Sequence, residues 1–257
     1  CLILREVYVC FFLLVALNGI INWTRNKKTS SLILVITGFV GAALFHDAMI
    51  IGLPVFIIII FLQNVKNLFY NMYNIKVDIK SLKIILTLTI IISFIYISDI
   101  TFPKIGSLTD FDAKIERILD QINNVNKGSA KYPDWLVPKT TVEIFYTAPF
   151  RMIYFVFSPF PWDVNQATHL IGMIDGILYM LLAYLIFCNR KNILSDPSLR
   201  IIFLLLITYI FIYGIGVGNF GTGIRHRSKF VVMFILLAAP LLPKFIFFNN
   251  KFKNKIK

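Results

Sequence analysis

The chain has 257 residues, 58% of them apolar and 15% charged, with a mean hydropathy of +0.76 and 25 phenylalanines against 13 acidic side chains. A soluble domain is roughly half apolar and about a quarter charged, so this balance excludes an ordinary soluble domain and points to an all-α, polytopic membrane protein. The formal charge of +13 would ordinarily raise the question of nucleic acid, and its distribution along the chain removes that reading.

Apolar runs cover residues 7–21, 31–62, 82–97, 167–187, 201–213 and 230–248, against the roughly 20 residues a helix needs to cross about 30 Å of hydrocarbon. Inside lipid only helices satisfy their own backbone within one segment. The second run would be about 48 Å long as one straight helix at roughly 1.5 Å per residue. The polar pair His46-Asp47 lies at its middle with Gly38, Gly41, Gly52 and Pro54 around it, so it is expected to bend back as two short helices. About seven membrane segments result, including this broken or re-entrant pair.

Charge sets the orientation. The stretches 22–29, 63–83, 188–200 and 244–257 hold 15 basic residues against Asp78 and Asp196, which accounts for the whole net charge. They are assigned to the cytoplasm, with the C-terminus inside and the lipid bilayer as the partner of the positive face. Residues 1–97 then form the N-terminal membrane helices, 98–165 one large outer loop, and 166–257 the C-terminal membrane helices with a basic tail.

Thr109 and Asp112 have capping-box spacing, and Phe111, Ile115, Ile118, Leu119, Ile122 and Val125 follow a helical period as far as Gly128, which predicts an amphipathic helix that lies on the membrane surface or caps a cavity. A turn at Tyr132-Pro133-Asp134-Trp135 follows. Residues 142–157 are apolar but carry Glu143, Pro149 and Arg151, so an interfacial or re-entrant segment fits better than a span. Cys1, Cys10 and Cys188 give neither a disulfide framework nor metal-ligand spacing, and no cofactor is expected.

Between the last two apolar runs, five glycines from Gly214 to Gly223 precede Arg225-His226-Arg227, with Lys229 behind them. This cationic cluster lies on the side opposite to the other bases. Glycines let backbone N–H groups approach an anion, and guanidiniums grip phosphate oxygens in pairs, so the pattern reads as a diphosphate clamp. The plain alternative is arginines reaching to lipid headgroups. Arg151 and His46 are further candidates for substrate contact on the same face. Asp175, within the 167–187 run, needs a cationic partner if it is buried, and one of these arginines is the natural choice.

Two motifs carry a resemblance. Phe157-Ser-Pro-Phe-Pro-Trp162-Asp163 before a span, and Asn219-Phe-Gly-Thr-Gly-Ile-Arg225-His226-Arg227 opening the last span, resemble the paired motifs of Wzy-like O-antigen and capsular polysaccharide polymerases. Ser158 stands where an arginine often precedes the Pro-Phe-Pro-Trp run. The resemblance covers about residues 145–240, and because such proteins carry more helices it implies an N-terminally truncated chain. It implies polymerisation or transfer of polyprenyl-diphosphate-linked oligosaccharide units, with Trp162 and Asn219 in the substrate site and other polysaccharide assembly proteins as partners. In that chemistry Arg225 and Arg227, with Arg151, would stabilise the leaving diphosphate. Asp163 is the first choice for the general base and His226 or His46 the second. A transporter or lipid-linked glycan flippase, and a non-catalytic membrane subunit of an envelope complex, are the other classes that fit.

Overall fold

A computed structural model describes residues 2–71, 119–120 and 130–244. The run at 82–97 and the amphipathic helix expected over 109–128 lie outside the described residues, apart from Leu119 and Asp120. The described residues are helical, with one isolated antiparallel bridge between Lys131 and Asn219. Among the described residues three helical stretches, Arg5–Asn26, Ala167–Cys188 and Pro197–Gly216, are long and apolar enough to cross a membrane, and Thr29–Phe45 and Asp47–Gln63 are shorter apolar ones. The chain divides into two compact units, Cys1–Asn124 with Pro138–Phe145, and Val125–Val137 with Tyr146–Lys257.

In the first unit α1 (Leu2–Asn26) and α2 (Thr29–Phe45) form an antiparallel hairpin, with Tyr8 near the start of α1 stacked on Phe45 at the end of α2, ring centres 4.8 Å apart. The turn between them uses Lys27 in the left-handed region, φ 53°. One face of α1, Leu13, Ala16, Leu17 and Ile20, is buried, as are Val35, Phe39 and Ala42 of α2, and Gly38 lies against the Ala16 backbone. Between apolar helices in lipid, attraction comes from close van der Waals packing, which small residues permit. The break at His46 is present: α2 stops at Phe45, His46 is extended, Asp47–Ile51 form a 3-10 turn, and α3 (Gly52–Asn71) begins. Phe56 of α3 meets the ring of Trp23 edge-on.

The helix expected to be interfacial is α4 (Thr141–Phe157), with Pro149 inside it. At its start Glu143 N–H donates to the Thr140 hydroxyl at 3.3 Å, and the Glu143 carboxylate accepts from Lys139 N–H at 2.6 Å. From Tyr146 onward α4 belongs to the second unit. There it is followed by a 3-10 turn at Pro161–Asp163, α5 (Ala167–Cys188), α6 (Arg190–Ser195), α7 (Pro197–Gly216), α8 (Phe220–Arg227) and α9 (Val231–Ala238). Pro197 at the first helical position and Asp196, whose carboxylate accepts from the N–H groups of Ser198 and Leu199, start α7. The core of this unit is Tyr179 and Leu182 of α5, Ile202, Leu205, Tyr209 and Tyr213 of α7, Phe155 of α4, and Phe230, Met233 and Phe234 around the start of α9. The Gly-rich connection departs from expectation. Its second half is the helix α8, because the Asn219 side chain accepts from Gly221 and Thr222 N–H groups and caps it.

Gly38→Leu, whose side chain must displace backbone, is expected to cost about 1–3 kcal/mol through overpacking and to lower the melting temperature in detergent. An unchanged melting temperature would show that α1 and α2 do not meet at this point.

Candidate functional site

Two of the expected ligand-binding arginines are engaged within the protein. Arg227, 1% exposed, projects from the end of α8 into the unit's interior. Its Nε donates to Asp175 of α5 at 2.8 Å, its Nη2 approaches the same carboxylate at 2.6 Å and the Gly172 carbonyl at 3.2 Å, and its Nη1 donates to the carbonyls of Val156 and Ser158. The guanidinium also lies 5.2 Å from the centre of the Tyr179 ring, and the Tyr179 hydroxyl donates to the Arg227 carbonyl. A guanidinium has five N–H donors. Here all three nitrogens are directed at protein, and the expected pairing of Asp175 with an arginine is realised.

Arg151, fully buried, repeats the pattern. It donates to Leu136 O at 2.6 Å and to Ile215 O and Val217 O at the end of α7 at 3.0 and 2.7 Å. Carbonyls at a helix C-terminus lack helical partners and carry the negative end of the helix dipole, which is why a buried cation is tolerated there. Tyr132 Oη, Arg151 Nε and Ser158 Oγ are buried without a hydrogen bond of acceptable geometry, so this junction keeps some polar groups at a cost of roughly 1–3 kcal/mol each.

Beside this junction a shallow open pocket of about 280 Å³ is lined by Lys131, Tyr132, Pro133, Asp134, Trp162, Asp163, Asn165 and Phe220. Its rim on one side is set by two strand-like bonds, Tyr132 N–H to Gly218 O at 3.0 Å and Phe220 N–H to Ala130 O at 2.9 Å. Lys131 and Asp134 pair at 2.8 Å across the exposed edge. On the other side, the Asp163 carboxylate accepts from Phe160 N–H at 3.0 Å, and His169 Nδ1 lies 3.3 Å from both the Asp163 carbonyl and Asn165 N. Burial raises the Asp163 carboxyl above the ordinary aspartate range, opposed by the Phe160 N–H and the His169 charge. Trp162 is 70% exposed; it stacks on Phe160 and donates its indole N–H to Tyr154 Oη at 3.2 Å. Trp135, 60% exposed, packs edge-on against Tyr154 and Phe150.

The remaining sequence candidates fall as follows. Asn219 caps α8 next to the pocket-lining Phe220. Arg225 and His226 are half-buried on α8; the Arg225 carbonyl accepts from Ser228 Oγ, and His226 Nδ1 is 2.7 Å from Nζ of the buried Lys229. His46 lies in the first unit, where its backbone N–H closes α2 on Ala42 O. The pocket thus brings together Trp162 and Asp163 with Asn219 adjoining, and it adds Lys131, Asp134 and Asn165. Of these only Asp134 had a signal in sequence, the turn dipeptide Pro133-Asp134, read there only as a turn. Among the described residues no group of His, Cys, Asp and Glu is arranged to hold a metal ion. No family model matches the chain, and no curated protein and no solved structure matches it.

Asp175→Asn leaves the buried guanidinium without its counter-charge and is expected to destabilise the protein by about 3 kcal/mol. Arg227→Lys, with three donors on a point charge, is expected to lower the melting temperature and protein level as well. Normal thermal stability in both variants would remove the anchoring role and return Arg227 to the ligand-binding candidates.

Proposed function

We propose that this chain is a multi-pass protein of a bacterial inner membrane, with about seven membrane segments and a cytoplasmic C-terminus. It transfers or polymerises polyprenyl-diphosphate-linked oligosaccharide units on the outer face. What supports the reading is the pocket beside Trp162 and Asp163. An exposed indole face, two carboxylates, an ammonium and an amide around an open cleft are the groups that stack on a sugar ring and bond to its hydroxyls.

In this reading the acceptor hydroxyl lies against Asp163. Its oxygen attacks the anomeric carbon of the donor unit, its proton passes to the Asp163 carboxylate, and the bond from the anomeric carbon to the diphosphate oxygen breaks. Polyprenyl diphosphate leaves with the bonding electrons, and the charge that develops on it needs a cation. Arg225 is on the same short helix as the pocket-lining Phe220, about 7.5 Å along the axis at roughly 1.5 Å per residue, and takes that part. His226 is the alternative proton acceptor. Arg227 and Arg151 position these groups and do not touch the substrate.

Asp163→Asn is expected to slow chain extension at least about a hundredfold, the contribution of a general base, with protein level unchanged. Surface-polysaccharide gels would then show single repeat units in place of a ladder, and a normal ladder would reject Asp163 as the base. Because a base must be deprotonated and burial raises this carboxyl, activity should be lost on acidification at a higher pH than an ordinary aspartate, near 3.9, would give. A rate that stays flat down through that value would also reject the assignment. The orientation is tested separately: a cysteine at Lys131 should react with an impermeant reagent in intact cells and one at Lys191 should not. The opposite pattern would put the pocket in the cytoplasm and exclude outer-face transfer.

A further inference from the structure

The second unit carries another concavity, an apolar groove of about 540 Å³ between α4, α5, α6, α7 and α9. Its volume lies within the roughly 300–1,000 Å³ of small-molecule sites. Val156 and Ala183 form part of its wall, Ile153 and Ile207 are exposed along it, and its lining is almost wholly carbon, with Arg190 the one charged residue among those that line it. Local bonds hold the neighbouring turn in shape. Asn189, buried, donates from Nδ2 to Leu237 O of α9 at 2.9 Å and so fixes the entry to α6.

The charge around Arg190 is one-sided among the described residues. Arg190 and Lys191 are exposed, Arg200 reaches Leu194 O at 3.4 Å, and the carboxylate near them, Asp196, accepts the first N–H groups of α7. The Arg190 guanidinium rests 4.3 Å from the Phe187 ring centre and gives one N–H to Phe187 O at 2.9 Å. A guanidinium has five donors, and its planar fork suits a phosphate diester. An apolar slot with such a fork exposed beside it matches a molecule with a long hydrocarbon chain and an anionic phosphate at its head.

We infer that this groove is a binding site for one anionic phospholipid of the surrounding bilayer, with an acyl chain between α4 and α7 and its phosphate on Arg190. The site is separate from the Asp163 pocket and independent of the glycan reading. The full chain, purified in detergent and stripped of lipid, is incubated with equal amounts of phosphatidylglycerol and phosphatidylcholine of the same acyl chains. Bound lipid is then counted by native mass spectrometry. Wild type should retain one phosphatidylglycerol with about fivefold preference, the scale of one basic side chain at an anionic surface. Arg190→Gln should bring the preference to parity, whereas Lys191→Gln, outside the groove, should leave it unchanged. Ala183→Phe, which fills the slot, should abolish retention of both lipids, and an unchanged melting temperature for Arg190→Gln keeps that variant decisive if Ala183→Phe misfolds. Equal retention of the two lipids by wild type, or equal loss of preference in the two charge variants, overturns the site.

Discussion

The second unit is organised around one buried cation. Removing a guanidinium from water is costly, and in an apolar interior the cost is recovered only when a counter-charge and all the donors are satisfied together. Arg227 meets that condition with a carboxylate from α5, a carbonyl within α5, and two carbonyls at the end of α4. Elements far apart in sequence are therefore tied at one point, by bonds whose directions are fixed by a planar fork. Lysine could carry the charge to this place but could not reach four groups in those directions.

Arg151 extends the same principle to the neighbouring segment. It joins the connection at Leu136 to the end of α7, while Tyr132 and Phe220 exchange backbone bonds with Gly218 and Ala130. The residues from Ala130 to Leu136 have no regular secondary structure of their own beyond one 3-10 turn at Asp134–Leu136, yet they are held at both ends. A pocket edge made by such a segment is pre-organised: Lys131 and Asp134 face Asp163 because buried charges elsewhere fix the backbone that carries them. A ligand entering there would not have to order that edge first.

Much of the fold was legible in the sequence because lipid simplifies the problem. Long apolar runs must be helices, and those at 167–187 and 201–213 reappear as α5 and α7, while His46 and Asp47 mark the break they were expected to mark. The site was legible less evenly. Trp162, Asp163 and Asn219 could be named because they lie in the two local motifs, the Pro-bounded aromatic run and the Asn219-to-Arg227 run, that carry the resemblance. Arg227 could not be told from a ligand-binding arginine, since its meaning depends on acceptors 50 to 70 residues away in sequence. Asp175 was the one available hint: a carboxylate inside an apolar run demands a cation, and Arg227 is the cation it has. Lys131 and Asn165 gave no hint, because a single polar residue in a connection looks the same whether or not the fold brings it to a cleft.

The glycines show how the same residues support two arguments and how geometry chooses between them. A Gly-rich stretch before arginines suggests backbone approaching an anion, yet Gly221 and Gly223 lie within the helix α8, and a Cβ at Gly223 would make only ordinary contact with the buried Tyr132 hydroxyl. The more consequential pair lies elsewhere, at Gly172 and Gly176, one turn apart on one face of α5. Side chains there would meet Pro159, Ile224 and the Phe157 carbonyl. Their absence lets the end of α4 and the following Pro159 come directly against α5, as small residues four apart commonly do between membrane helices. That approach is what brings the carbonyls of Val156 and Ser158 and the carboxylate of Asp175 within reach of a single guanidinium. The glycines and the arginine are thus one device, in which missing side chains on α5 make room for the acceptors that a buried Arg227 requires.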